Sequence, residues 1–280
     1  MPYTAEISRS NPTCFVFLID QSGSMADALP NQPGRTKAMG VADAINRLLQ
    51  NLVIRCAKEE GVRDYFHVAV IGYGRQVGPA FSGPLAGRSL VPISDVGNMP
   101  ARVEERTRKI DDGAGGLIDQ PIRMPVWFDP LGDGGTPMCQ ALGIARNLLQ
   151  DWLEQYPGCF PPVVVHITDG ESTDGDPMPA MNDLRSMASR DGNVLLFNVH
   201  VSDDPAATPV AFPDSSAELA NEYARTLFAG ASELTPFMRA VAREQHGLEL
   251  AEGSRGFVLN GDMVLVIQAL DIGTRPSNLR

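Results

Sequence analysis

Cys14-Phe15-Val16-Phe17-Leu18-Ile19-Asp20-Gln21-Ser22-Gly23-Ser24 is the stretch on which the fold turns. Six apolar residues run without polar alternation and then stop at a carboxylate. A strand that is apolar on both faces belongs inside a parallel sheet covered from above and below. Hydroxyls follow the carboxylate at alternate positions, in a loop at the carboxyl end of that strand. In an open parallel sheet this is the end where ligands bind.

The same pattern repeats outward along the chain. Residues 66–73 predict a second strand, residues 163–168 a third that again stops at an aspartate, Asp169, and residues 194–201 a fourth. Helical spacing separates them. Met39, Val41, Ala44, Ile45, Leu48, Leu49 and Leu52 give residues 35–60 an apolar stripe that ends at Gly61. Thr136 opens another helix, with Pro137 in its first turn and Leu142, Ala145, Leu148, Leu149 and Trp152 on its inner side. Residues 178–190, 216–224 and 234–245 also read as helices, 226–229 as a short strand, and 263–270 as one more apolar segment. The expected fold class is α/β, a doubly wound, Rossmann-like sandwich with a mainly parallel central sheet and helices on both faces.

Residues 75–135 interrupt this rhythm. Residues 77–85 suggest an edge hairpin and 100–110 a short helix, while 111–116 and 120–130 are loop-like. The chain therefore reads as a single domain over 1–280, with a core at about 12–247, a loop-rich insertion at about 75–135 and a C-terminal extension at 248–280.

Composition narrows the function. The formal charge is −11, and the densest cationic stretch, 102–109, is interleaved with Glu104 and Glu105 as a solvated face would be. No basic stripe exists for nucleic acid. No apolar run approaches the ~18 residues that span a bilayer, and no apolar leader follows Met1. Cys14, Cys56, Cys139 and Cys159 show no CxxC spacing, so reduced thiols and a cytoplasmic location are expected. An acidic protein binds an acidic ligand when a metal ion supplies the local positive charge.

Asp20, Ser22, Ser24, Thr136 and Asp169 all lie just after strands or at a helix start, so the topology brings them to one crevice. Oxygen donors of this kind suit a hard divalent cation, Mg²⁺ or else Mn²⁺ or Ca²⁺, and not a metal that prefers Cys or His. Two carboxylates barely neutralise such an ion, which leaves it able to take a carboxylate from a partner. Asp174 and Asp176 lack the spaced Glu of a calcium loop and read as a solvated turn. His67, His166 and His200 lie in predicted strands and read as core residues. Trp127 and Phe128 read either as anchors of the insertion or as a contact surface beside the metal.

Residues 15–25, the Gly134-Gly135-Thr136-Pro137 loop and residues 164–170 together resemble the von Willebrand factor A (vWA) family and its metal-ion-dependent adhesion site, in the family's order and over about residues 12–247. The resemblance implies that Ser22 and Ser24 ligate the metal directly, Thr136 directly or through water, and Asp20 and Asp169 through waters or hydrogen bonds. In related domains a change at the threonine is coupled to movement of a C-terminal helix. The chain looks like bacterial intracellular vWA proteins that act in signalling or stress response. Their gene clusters hold a kinase and a phosphatase, as in tellurite-resistance-type systems, or a MoxR-type AAA+ ATPase, and these are the implied partner classes.

The reading is thus a non-enzymatic, metal-dependent protein–protein interaction module whose partner supplies Asp or Glu. No phosphate-binding loop or Gly-x-Ser-x-Gly elbow is present, and Asp20 lacks the second Asp of a phosphatase-like Asp-x-Asp nucleophile motif. A Mg²⁺-dependent phosphate-ester hydrolase using the same five residues is the alternative, and it would need a general base that no residue supplies by position. A third reading makes the insertion the binding surface.

Overall fold

The computed structural model describes residues 3–29, 32–111, 116–202, 206, 208–219 and 221–275. The first apolar run forms strand β1 (Thr13–Asp20), every residue of which is buried. It is flanked by β2 (Phe66–Tyr73) on one side and by the strand over Val163–Thr168 on the other, both parallel to it. In chain order the sheet strands are β1, β2, β3 (Val77–Pro79) and β4 (Val91–Pro92). An off-sheet hairpin, β5 (Arg102–Asp111) and β6 (Leu117–Val126), precedes β7 (Val163–Thr168), β8 (Leu195–Val201), β9 (Val210–Ala211) and β10 (Phe257–Gly261). The sheet order is β9-β10-β8-β7-β1-β2-β3, with β4 paired to β2. Its central strands β10, β8, β7, β1 and β2 are parallel, and β3, β4 and β9 add antiparallel edges.

Register explains how β1 serves two cores. Phe15, Phe17 and Ile19 point to one face and Cys14, Val16 and Leu18 to the other, as alternation along a strand demands. Helices α1 (Lys37–Cys56), α6 (Pro236–His246) and α7 (Met263–Thr274) cover the first face. The second is covered by α3 (Met138–Gln155), α4 (Met178–Ser186) and α5 (Glu222–Gly230). A short helix, α2 (Ile93–Asn98), lies beneath α1. This is the doubly wound α/β sandwich that the strand pattern predicts. Among the described residues no helix is long and apolar enough to cross a membrane.

Four expectations are corrected. Residues 102–111 form a strand, not a helix, and pair residue for residue with 117–126, part of which reads as loop. Val103 and Ile118 are exposed on the ribbon's two faces, and β5 has no period-2 apolar alternation. Ile122, Met124 and Val126 do alternate at the end of β6, where Met124 and Val126 are buried. Residues 112–115 lie outside the described residues. Residues 226–229 continue helix α5 instead of forming a strand, because Leu227 and Phe228 bury on helical neighbours of Ala224. The tail supplies β10, paired to β8, and the apolar segment after it is helix α7. The sheet therefore extends past residue 247.

Candidate metal centre

Three loops meet at the carboxyl ends of β1, β2 and β7. The register sets Asp20 beside Tyr73 on β2 and places the end of β7 on its other side. Asp20 is 1% exposed, Ser22 2% and Thr136 6%. The backbone N–H of Ser22 donates to Asp20 Oδ1 at 2.8 Å, and Thr168 Oγ donates to Asp20 Oδ2 at 2.8 Å. The Ser22 and Ser24 hydroxyls lie 3.1 Å apart, and Ser24 Oγ donates to Asp169 Oδ1 at 2.8 Å. Four of the five sequence-predicted residues are thus linked by a continuous chain of hydrogen bonds.

Thr136 arrives by its backbone. Gly23 N–H donates to the Gly134 carbonyl at 3.0 Å and Asp133 N–H to the Gln21 carbonyl at 2.7 Å, which straps the Gly-Gly-Thr-Pro loop against the serine loop. From the far side, Thr173 accepts the Thr136 N–H at 2.9 Å and donates its own N–H to the Thr136 carbonyl at 2.9 Å. The glycines this closeness demands are Gly74 and Gly134. A Cβ on Gly74 would stand 2.5 Å from the Gln21 carbonyl oxygen. One on Gly134, whose φ is +92°, would stand 2.4 Å from the Arg75 nitrogen. Gly23 itself has an ordinary φ, and a Cβ there would meet the Gly134 carbonyl oxygen at an ordinary contact of 3.6 Å, so the serine loop would accept a methyl group.

Asp174 is neither free in solvent nor part of a calcium loop. Its two oxygens accept the N–H groups of Cys139 and Gln140, each at 2.9 Å, and so cap the first turn of α3 behind Thr136. The three histidines do not converge. His166 is fully buried between Tyr73 Oη, 2.6 Å from Nε2, and Asn198 Oδ1, 2.9 Å from Nδ1. His67 packs against Trp152 with the rings tilted and their centroids 5.0 Å apart, and His200 accepts the Asn260 N–H. Trp127 and Phe128 are each 2% exposed and lie in the core, so they anchor the insertion and form no rim.

The electrostatics of the site follow from its burial. Loss of water pushes Asp20 up from the usual carboxylate range to about 6, against hydrogen bonds from Ser22 and Thr168 and with a smaller push from Asp169. Burial lowers His166 to about 4, while its bond to Asn198 works the other way.

Among the described residues no group of three or more His, Cys, Asp or Glu gathers. A cation here would rest on two carboxylates, three hydroxyls and water, which is the donor chemistry of a hard divalent ion. The Asp169 side chain is wholly covered, yet its Oδ2 accepts no hydrogen bond. Lys37 Nζ stands 2.7 Å from that oxygen in a buried ion pair.

Lys37, Thr168, Thr173 and Tyr223, whose hydroxyl donates to the Gly170 carbonyl, complete the site and are missed by motif reading. Only Lys37 leaves a signal in the sequence, a cation at the start of a helix where the dipole disfavours it.

No family model matches the sequence, and no curated protein matches it. Parts of the chain are similar to solved structures. One is the vWF domain of the type V pili tip protein Mfa5 from Porphyromonas gingivalis, at 14% identity and a TM-score of 0.33, covering 58% of this chain and 39% of that one. Another is the ArnB paralog VWA2 from Sulfolobus acidocaldarius, at 13% identity and 0.33, covering 71% and 37%. A third is the pilus adhesin RrgA from Streptococcus pneumoniae, at 17% identity and 0.32, covering 60% and 22%. This chain spans well under half of each, and overlaps of this extent carry no argument about function.

Proposed function

We propose that this chain is a non-enzymatic interaction module that holds one divalent cation, Mg²⁺ by preference, and uses it to bind a carboxylate offered by a partner protein. One observation carries the reading. Asp20, Ser22, Ser24 and Asp169 form one hydrogen-bonded chain at the carboxyl ends of β1 and β7, with Thr136 strapped beside it. Ser22, Ser24 and Thr136 would hold the ion with oxygen atoms, and the two aspartates would orient its waters. The ion would supply the positive charge that an acidic chain lacks. The vWA resemblance of the three segments supports the same assignment. A bacterial signalling or stress-response complex, with a kinase, phosphatase or AAA+ ATPase as partner, is the setting that resemblance suggests.

Calorimetric titration of Mg²⁺ and Mn²⁺ into the chelator-treated protein tests the assignment. The expected result is one site, lost in Asp20→Ala and in the Ser22→Ala/Ser24→Ala double variant while circular dichroism stays unchanged. Binding that survives in folded Asp20→Ala would place the ion elsewhere. Silence from the wild type even with acetate present would refute the metal reading.

A further inference from the structure

Lys37 is a further determinant of the same site, and the case for it rests on the metal reading above. It is the first residue of α1, it is 3% exposed, and its ammonium faces the wholly covered Asp169 carboxylate at 2.7 Å. Asp27, more than half exposed, lies 3.9 Å away on the other side. Nothing about the helix calls for a cation at this point. The Thr36 hydroxyl already caps α1 by accepting the Met39 N–H, and a positive charge in a first turn opposes the helix dipole. Burying an ammonium is costly, and its attraction to a carboxylate repays that cost only in close geometry. The ion pair is therefore a property of the site and not of the helix.

We propose that Lys37 is a built-in cation that makes metal binding conditional on an incoming anion. Asp27 is solvated and screened, so the buried charges set the balance: with both carboxylates ionised, Asp20, Asp169 and Lys37 sum to −1. A divalent cation takes the site to +1, and one carboxylate from a partner returns it to zero. Without Lys37 the ion and the two aspartates already sum to zero, so a partner's carboxylate would still reach the ion but would gain less from it. Lys37 thus weakens the hold on the bare ion and strengthens the hold on ion and carboxylate together, so that the two bind cooperatively.

The test is titration of Mg²⁺ into the full chain, comparing wild type, Lys37→Met and the charge-preserving Lys37→Arg, in sodium chloride and in sodium acetate of equal ionic strength. In chloride, Lys37→Met should bind Mg²⁺ at least about tenfold more tightly than wild type, the scale of one charge removed at close range in a partly dry site. Acetate should tighten wild type and Lys37→Arg several-fold more than Lys37→Met. Melting in chelator and in Mg²⁺ gives a second readout: the ion should raise the midpoint of Lys37→Met most. If that variant fails to fold, Lys37→Gln carries the same expectation. Equal or weaker Mg²⁺ affinity in a folded neutral variant, or an equal gain from acetate in both proteins, overturns the role of Lys37 and leaves the metal reading standing. No Mg²⁺ uptake by any of them, with acetate present, overturns both.

Discussion

Asp20 and His166 are buried near one another at the sheet's carboxyl end, and their ionisations act on stability in opposite directions. His166 falls to about 4 because burial disfavours its charged form. Between about 4 and 6.5 the unfolded chain therefore binds the extra proton, and stability from this group rises with pH over that window. Asp20 is pushed up to about 6, so between about 4 and 6 the folded chain holds the extra proton and stability from this group falls as pH rises. Each effect is worth roughly 3 kcal/mol at full extent, and they oppose one another. Denaturant midpoints in chelator, from pH 4.5 to 7, should separate them. Relative to wild type, Asp20→Asn should gain stability more steeply with rising pH. His166→Gln should gain it less or lose it. Profiles parallel to wild type in both variants would show that neither group titrates in this window.

Among the elements, the β5–β6 ribbon stands outside the sheet, and one buried side chain of α1 holds three backbone groups at its base. Asn46 of α1 is 2% exposed; its Oδ1 accepts the N–H groups of Trp127 and Phe128 at 2.8 and 3.1 Å, and its Nδ2 donates to the Phe128 carbonyl at 2.8 Å. Arg106 adds a bond to Asp43 at 2.6 Å on the same helix. Asn46→Leu would strand three backbone groups out of water, at a cost of about 3 kcal/mol or more. Asn51→Ala on the exposed face of α1 should change stability by less than about 0.5 kcal/mol. Denaturant unfolding of the two variants checks the ranking, and equal effects would mean that Asn46 is no anchor. Asn46 also shows where sequence reading stops. It lies among the apolar positions of α1 as one more polar residue, and its partners are 81 and 82 residues away. The ribbon was illegible for a related reason. Arg102, Glu104 and Arg106 bond along one face of it, a spacing of two that charged residues display without any apolar signal. Asp20 and Asp169 were legible because an apolar strand ends at each of them, and such endings survive without knowledge of tertiary contacts.

For the molecule as a whole, the segment beyond residue 247 decides whether the sandwich closes. It read as an extension because α7 is apolar nearly all round and shows no helical period, while β10 is only five residues long. In the structure β10 hydrogen-bonds to β8, and α7 lies against α1, α6 and the inner face of the sheet. Asp271 fastens this arrangement, accepting from Arg55 at 2.8 Å and lying 3.0 Å from His246 Nε2. A chain cut after Gly247 would uncover Phe257's pocket on one face and the Val258, Val266, Leu270 and Ile272 packing on the other. It would also leave the β10-facing edge of β8 unpaired, while β7 still flanks the other edge. Five such side chains at about 2 kcal/mol each approach 10 kcal/mol, comparable with the entire stability of an ordinary domain. The truncated chain should therefore lack a cooperative thermal transition and should aggregate, and it should take up no Mg²⁺ although all five site residues remain in it. A truncated chain that melts cooperatively would show that the sheet ending at β8 is a folding unit on its own, and metal titration of that chain would then reveal whether the site needs anything from the last two elements.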